Sequence, residues 1–261
     1  MSLVQVENSK ERIKMSHFSV LVIGKNWEKQ LAPYSEELKV EPYKKYLSID
    51  EIKRIKKNYQ TDDPLPYMSD WTGDSGGQDE NGLYYWSTYN PQSKWDWYSL
   101  GGRWKGTFLL RNNGRGKNEY PWLAEPAEKG TADQALKKAI DWEGMIARAR
   151  QEAQKGWEDY ENKVLNYEAR EDKDKIKYDK QTRYLVGILE NDTKESFIAR
   201  SSLCSTFAIV KDGEWIECAK MGWWGVTYDE NMEENKWAEY WTNLVASLPN
   251  DTLLTLVDCH I

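Results

Sequence analysis

A mostly apolar run near the start of the chain, in which Phe18, Val20 and Val22 alternate with His17, Ser19, Leu21 and Ile23, predicts a buried strand. Between Ser16 and Gly24 the sequence places Phe18, Val20 and Val22 at every second position before a glycine ends the run. A second apolar run, from Thr252 to Cys259, follows a turn rich in Pro, Asn and Asp. We therefore expect strands at both ends of the chain.

A hairpin is predicted in the last third of the sequence. Two strand-like segments, Ser205–Val210 and Glu214–Met221, flank the tripeptide Lys211-Asp-Gly213. An Asp-Gly pair between alternating segments is the strongest short-range signal of a tight turn between antiparallel strands.

Two segments have the period of amphipathic helices. Ser48–Tyr59 carries three isoleucines on one helical face, and Glu230–Leu248 carries a stripe of apolar residues at spacings of three and four. The stripe consists of Trp237, Trp241, Leu244 and Leu248. We expect it to face the core.

The middle of the chain is predicted to hold a long loop and a long helical insertion. Residues 61–82 are rich in Pro and Gly and have no continuous period, which is typical of a loop. Thr131–Gln134 matches a capping box, and the sequence from there to about Lys180 is charged with regularly spaced apolar residues. This pattern predicts a helix or helical hairpin over 131–180.

Two aromatic segments, Tyr84–Tyr89 and Trp104–Leu110, are predicted to form a further hairpin. The remaining order is strand, helix, hairpin, helix, strand, which is the order of a ferredoxin-like antiparallel sheet. We therefore expect one α+β domain over residues 15–261, with the aromatic hairpin and the charged helices inserted. In that topology the first and last strands are antiparallel neighbours.

Composition and charge narrow the function classes. The 261 residues carry a net charge of -7, which disfavours general binding of nucleic-acid polymers. The chain has no apolar run long enough for a membrane span and no signal peptide, so we expect a soluble cytoplasmic protein. Its three cysteines lack the spacing of a disulfide framework or a zinc ribbon, and we interpret them as small buried residues.

Tryptophan and tyrosine are unusually abundant. There are 14 Trp and 16 Tyr but only 4 Phe, so most aromatic side chains combine a flat apolar face with a polar group. Such residues suit a binding surface, although Trp can also fill a core that is poor in aliphatic residues.

The only two histidines, His17 and His260, stand at the two predicted strand ends that should meet at one edge of the sheet. Residues two apart on a strand share a face, so Ser19 should accompany His17 and Asp258 should accompany His260. A carboxylate beside an imidazole fixes its tautomer, and two imidazoles can supply one base and one acid. This pair suffices for in-line cleavage of a phosphodiester by an internal hydroxyl without a metal. His17-Phe-Ser19 also resembles half of the His-x-Ser/Thr signature of two-histidine phosphoesterases.

Two other interpretations of these histidines remain open. Both could simply cap backbone groups at the ends of core strands. Alternatively, His17, Asp258 and His260 could hold a divalent cation as two imidazoles and one carboxylate. Our working expectation is that the protein needs neither a metal nor another cofactor.

A second candidate constellation combines aromatic rings with cations. Its rings could stack on a base, its cations could bind phosphate, and Gly101-Gly102 could let a ligand reach backbone N–H groups. Its members are Lys94, Trp95, Trp97, Tyr98 and Arg103, and Trp223 and Trp224 add two consecutive indoles elsewhere. An aromatic hairpin packed on the sheet is the structural alternative.

Five motifs resemble a family of bacteriophage and prophage proteins. They are Met15–Gly24, Tyr89–Tyr98, Gly101–Trp104, Met221–Gly225 and Asp258–Ile261. The likeness spans residues 15–261 except the loop at 61–82 and the charged helices. It leaves residues 1–14 as an N-terminal extension and implies a phage origin, with expression in the cytoplasm of an infected bacterium.

These observations together lead to a functional expectation. The protein should bind a small nucleotide, with a cyclic dinucleotide immune signal as the expected class, and cleave it as a phosphodiesterase in phage counter-defence. The counter-defence role is an analogy with other small phage proteins. Two alternatives are a non-catalytic sponge for the nucleotide and an adaptor that inhibits a host protein. Whether the chain forms a homo-oligomer is left open.

Overall fold

The structure is a computed structural model that describes residues 17–111, 130–168, 180–221, 227–230 and 234–261. The N-terminal extension, 1–14, and the two consecutive indoles, Trp223 and Trp224, lie outside these residues. Within them the fold is mixed α+β, which confirms the predicted class. None of the described helices is both long enough and apolar enough to cross a membrane.

Helices and strands alternate irregularly along the chain. The helices are α1 (Trp27–Leu31), α2 (Ile49–Tyr59), α3 (Met68–Thr72), α4 (Trp142–Glu168), α5 (Lys180–Asn191), α6 (Lys194–Ser201) and α7 (Glu234–Ser247). The strands are β1 (His17–Ile23), β2 (Tyr43–Tyr46), β3 (Gly76–Asp79), β4 (Gly82–Ser87), β5 (Trp97–Leu100), β6 (Phe108–Leu109), β7 (Thr131–Ala132), β8 (Gln134–Leu136), β9 (Ala208–Lys211), β10 (Glu214–Glu217), β11 (Ala219–Met221), β12 (Thr227–Glu230) and β13 (Leu253–His260).

These elements form two compact units. One unit comprises the described residues up to Leu31 together with those from Trp95 to Ile261, and the other is Ala32–Lys94. The second unit is built on an antiparallel sheet of order β2-β4-β3, with α2 and α3 contributing to its core. Ser48 and Glu51 form the capping box that starts α2. Part of the predicted loop at 61–82 is ordered into α3 and β3.

The main sheet of the first unit has the order β10-β9-β1-β13-β5, and β8 also pairs with β13. The predicted pairing of the first and last strands is confirmed, since β1 and β13 are antiparallel neighbours. β1 also pairs directly with β9, in parallel. A ferredoxin-like sheet separates the corresponding two strands, so the observed order differs from that expectation.

The centre of this sheet is buried, since β1 and β13 are mainly apolar and are shielded from solvent along almost their whole length. Leu21, Leu254 and Leu256 pack in the same core cluster as Trp237 and Trp241 of α7. The predicted core-facing stripe of this helix is therefore confirmed. Both indole N–H groups donate to Thr206, one to its backbone oxygen and one to its hydroxyl.

The hairpin at Asp212-Gly213 is also confirmed. Both residues have positive φ, 53° and 82°, as a tight turn of this kind requires. β9 and β10 pair on either side of it.

Two other predictions about the middle of the chain are wrong. The two aromatic segments do not form a hairpin, because β4 pairs with β2 and β3 whereas β6 pairs with β7. Residues 131–136 are extended rather than helical, and the helix begins at Trp142. The reason is tertiary: the side chain of Gln134 donates to the hydroxyl of Thr255 in the interior instead of capping a helix.

Candidate functional site

The two histidines lie side by side at one end of the main sheet. His17 and His260 are directly paired across β1 and β13. Directly paired residues of antiparallel strands share a face, so both side chains leave the sheet on the same side. The centroids of the imidazole rings are 5.0 Å apart, with an angle of 73° between the ring planes. The structure thus brings the predicted pair into edge-to-face contact.

Each imidazole is held by its own carboxylate. Nδ1 of His17 lies 2.8 Å from Oδ1 of Asp258, and Nδ1 of His260 lies 2.6 Å from Oδ1 of Asp96. Since an ionised carboxylate can only accept a hydrogen bond, Nδ1 of each ring carries a proton. In the neutral rings Nε2 is therefore the basic nitrogen.

This pairing corrects the expectation that Asp258 orients His260. Asp258 does share a face with His260, but its carboxylate bonds the histidine of the neighbouring strand. Asp96 takes the predicted role instead, and sequence reasoning missed it. A signal was available in principle, because Asp96 lies between two tryptophans in the aromatic segment, yet only the pairing of β5 with β13 places it beside the last strand.

Asp96 is anchored where β5 begins. Its backbone N–H donates to the carbonyl oxygen of His260, and its Oδ1 accepts a 2.7 Å hydrogen bond from the backbone N–H of Trp97. The carboxylate is thus held by its own strand while it binds the imidazole of the neighbouring one.

Asp258 is almost fully buried, with 2% of its side chain exposed. Its second oxygen, Oδ2, accepts a 3.0 Å hydrogen bond from the backbone N–H of Arg103. Gly102 lies so close to this carboxylate that a Cβ there would overlap Asp258 Cβ and Oδ2. The glycine therefore allows Asp258 to bond a strand end and a loop at once.

Asp133 makes a similar contact with the same loop. Its Oδ1 accepts a 2.6 Å hydrogen bond from the backbone N–H of Gly106, and a Cβ at Gly101 would overlap its carboxylate. Burial raises the pKa of Asp133, while the hydrogen bond from Gly106 acts in the opposite direction. The loop over 101–106 is thus held by two buried carboxylates. Gly101 and Gly102 serve these close approaches to Asp133 and Asp258, whereas the sequence alone led us to expect that they let a ligand reach the backbone.

Access to the two imidazoles is unequal. His17 keeps 9% of its side chain exposed. The side chain of His260 is 4% exposed, and among the described residues its Nε2 has no hydrogen-bond partner and is sealed from solvent. A buried polar atom of this kind is uncommon and calls for an explanation.

Trp97 completes the group around the histidines. Its ring stacks on that of His260 at a centroid distance of 5.3 Å and 19° between the planes, and meets the ring of His17 edge-on at 5.2 Å. Nevertheless 41% of Trp97 is exposed. We call His17, Asp96, Trp97, Asp258 and His260 the histidine cluster.

The structure gives three other predicted site residues different surroundings. Ser19 is fully buried, and its hydroxyl accepts a hydrogen bond from the backbone N–H of Phe207. Trp95 is 8% exposed and donates its indole N–H to the carbonyl oxygen of Leu31, while Tyr98 packs against the ring of Trp95. These residues contribute to packing, because Trp95 is buried and Tyr98, one position along β5 from Trp97, leaves the opposite face of the sheet.

The two predicted cations lie in different units. Arg103 is exposed, and its backbone is fixed beside the histidine cluster by the bond to Asp258. Lys94 is the last residue of the second unit, where its backbone N–H donates to the carbonyl oxygen of Tyr34. Arg103 is therefore the cation that the structure associates with Asp258.

A metal centre has no visible basis in the described part of the chain. There, no group of three or more His, Cys, Asp or Glu side chains is arranged to hold an ion. Cys259 lies on the other face of β13 from the histidines, and burial raises its thiol pKa well above the ordinary value.

Comparison of the chain with protein-family models, with curated proteins and with solved structures finds no match. The chemistry of the histidine cluster is therefore the basis on which we infer a function.

Proposed function

We propose that this protein binds a small phosphorylated nucleotide and cleaves its phosphodiester bond by acid–base chemistry that uses His17 and His260. The observation that carries the proposal is the contact between two imidazoles, each with Nδ1 held by a separate carboxylate. This arrangement leaves one basic nitrogen on each ring, and two such rings can act as a base and an acid in one reaction.

The proposed reaction transfers two protons. One neutral imidazole takes the proton of a hydroxyl group on the substrate through Nε2, and that oxygen forms a bond to phosphorus. The bond from phosphorus to the leaving oxygen breaks, and the other ring, as imidazolium, donates its Nε2 proton to that oxygen. Asp258 and Asp96 act as positioning residues, since they hold the rings in one tautomer and orientation.

Binding would use the groups at the edge of the cluster. The exposed indole of Trp97 can stack on a base, and the guanidinium of Arg103 can pair with a phosphate oxygen. The resemblance to phage proteins implies the cytoplasm of an infected bacterium as the place of action, and the analogy with other small phage proteins favours a cyclic dinucleotide signal as the substrate.

The experiment is to incubate the protein with cyclic and linear dinucleotides, with and without a chelator, and to follow substrate and product by chromatography. We expect product to form in the presence of chelator. His17→Ala should lower the rate by about 10²- to 10⁴-fold, the usual contribution of one acid–base group. The contradicting result is a rate that is unchanged in both His17→Ala and His260→Ala, or that depends on an added divalent ion.

One observation favours a second candidate function, which is a non-catalytic sponge. The sealed Nε2 of His260 is out of reach of a ligand in this conformation. For a sponge, the nucleotide would be recovered intact after denaturation of the complex, and His17→Ala would bind it almost normally.

A further inference from the structure

The two imidazoles differ in access although their hydrogen bonds are alike. Each has Nδ1 bound to a carboxylate oxygen, at 2.8 Å for His17 and 2.6 Å for His260. Only His260 has its remaining nitrogen sealed and without a partner within the described structure. Since the tautomers are fixed in the same way, the difference lies in what covers the rings.

Trp97 is the neighbour best placed to cover His260. The indole lies nearly parallel to the imidazole, at 5.3 Å and 19°, and also touches His17. Asp96 binds this ring at Nδ1 and so cannot seal the opposite nitrogen, and the other ring in contact, that of His17 at 5.0 Å, is itself held by Asp258. Trp97 is also 41% exposed, so part of its ring faces solvent.

The backbone around this contact is held more firmly than the indole. Trp97 and His260 are paired residues of β5 and β13, and the N–H of Asp96 donates to the carbonyl oxygen of His260. The indole, in contrast, is held on its inner side by ring contacts and is open to solvent on its outer side. A change of its side-chain rotamer could therefore uncover the imidazole while the strands stay paired.

We propose that Trp97 controls access to His260. With the indole stacked, His17 is the more accessible of the two imidazoles, with 9% of its side chain exposed against 4% for His260. When the indole moves aside, Nε2 of His260 becomes accessible, and a planar ring of the ligand can replace the lost stacking contact. Such a ligand shifts the population toward the open state because it binds that state better. The inference rests on the proposed function for the identity of this ligand, a nucleotide, but the cover itself can be tested without one.

The test is chemical modification of the wild-type protein with diethyl pyrocarbonate, which acylates unprotonated imidazole nitrogens. The chain contains only two histidines, so mass spectrometry of peptides follows each of them separately. We expect His17 to react readily and His260 slowly. In Trp97→Ala the rate at His260 should rise by about tenfold or more, since the rate follows the fraction of molecules in the open state.

Two further variants serve as controls. Trp97→Phe keeps a ring in the same place, so His260 should stay close to its wild-type rate. Trp86→Ala removes an indole of similar exposure, 44%, from the other unit and should leave both rates unchanged. Circular dichroism and the melting temperature establish that each variant is folded.

Two results would overturn the proposal. One is a folded Trp97→Ala protein in which His260 remains as protected as before, and the other is a wild-type protein in which both histidines react equally fast. Neither result depends on nucleotide cleavage. If the cover is present but no dinucleotide is cleaved, the proposed function fails and this inference stands. If a dinucleotide is cleaved but Trp97→Ala leaves His260 protected, the proposed function stands and this inference fails.

Discussion

The carboxylate of Asp258 binds the imidazole of His17 at 2.8 Å although the two residues are 241 positions apart in the sequence. Its second oxygen accepts the backbone N–H of Arg103. One buried side chain therefore joins the first strand, the last strand and the loop that carries a candidate phosphate-binding cation.

We expect Asp258→Asn to be clearly destabilising. The amide keeps the shape of the carboxylate but loses the charge-assisted hydrogen bonds in a buried place, which lowers the free energy of unfolding by about 1.5–3 kcal/mol. Urea denaturation measures this change. Asp96→Asn is the matched control, because it also removes the carboxylate partner of a histidine but at a side chain that is 39% exposed. Its effect should stay below about 1 kcal/mol, and an equal loss in both variants would contradict this account.

Gly102→Ala should also disturb the carboxylate of Asp258, because Gly102 lies in the loop that packs against it. Gly102 has a φ of 49°, and an added Cβ would overlap Asp258 and approach Ser99 Oγ to 2.6 Å. We expect a backbone cost of about 1–2 kcal/mol and a further packing cost of about 1–3 kcal/mol.

Gly213→Ala provides the control for the backbone cost alone. Gly213 also has positive φ, 82°, but an added Cβ there would meet no atom within 4 Å. Chemical denaturation should show the smaller loss in this variant. If the two alanine variants are equally stable, the close approach of Gly102 to Asp258 has no energetic importance.

Asp133→Asn should remove a pH-dependent decrease in the free energy of unfolding. Burial raises the pKa of the Asp133 carboxyl in the folded protein, against the hydrogen bond from Gly106. Between the unfolded and the folded pKa the folded state therefore binds more protons, and the free energy of unfolding falls as the pH rises. The asparagine variant lacks this decline and can still accept the Gly106 N–H.

The measurement is denaturant unfolding at several pH values from about 3 to about 7. The stability of Asp133→Asn relative to the wild type should increase with pH and then level off. Asp251→Asn, at an exposed carboxylate, should give a difference that varies little with pH. A variant that loses stability relative to the wild type as the pH rises would have the wrong sign.

Trp95 and Trp97 are only two positions apart, but we expect substitutions at the two residues to change the free energy of unfolding by different amounts. Trp95 packs in the interior, whereas Trp97 is half-exposed beside the histidines. Trp95→Phe removes the indole N–H that donates to Leu31 and leaves a buried acceptor, which lowers the free energy of unfolding by about 1–3 kcal/mol. Trp97→Phe changes a half-exposed ring and should alter it by no more than about 0.5 kcal/mol. Thermal and urea unfolding of both variants test this order, and a larger loss at Trp97 would reverse the assignment of roles.

The spacing of apolar residues and the turn residues correctly predicted those helices, strands and turns whose conformation is determined mainly by neighbouring residues in the sequence. The alternation near Phe18, the turn at Asp212-Gly213 and the tryptophan stripe of α7 are examples. The first part of the predicted helical segment over 131–180, residues 131–136, is extended because a capping pattern is only a local preference. Once the side chains of Asp133 and Gln134 have partners in the interior, the extended conformation is more stable.

The sequence by itself determined that two histidines stand at the ends of two apolar strands, because burial and strand period are properties of neighbouring residues. The tertiary structure alone decided which carboxylate binds which imidazole. It also decided that Nε2 of His260 is shielded from solvent and that Gly101 and Gly102 leave room for the carboxylates of Asp133 and Asp258. These features depend on strand register and on contacts between residues far apart in the chain, and a hydrophobic pattern carries no information about such distances.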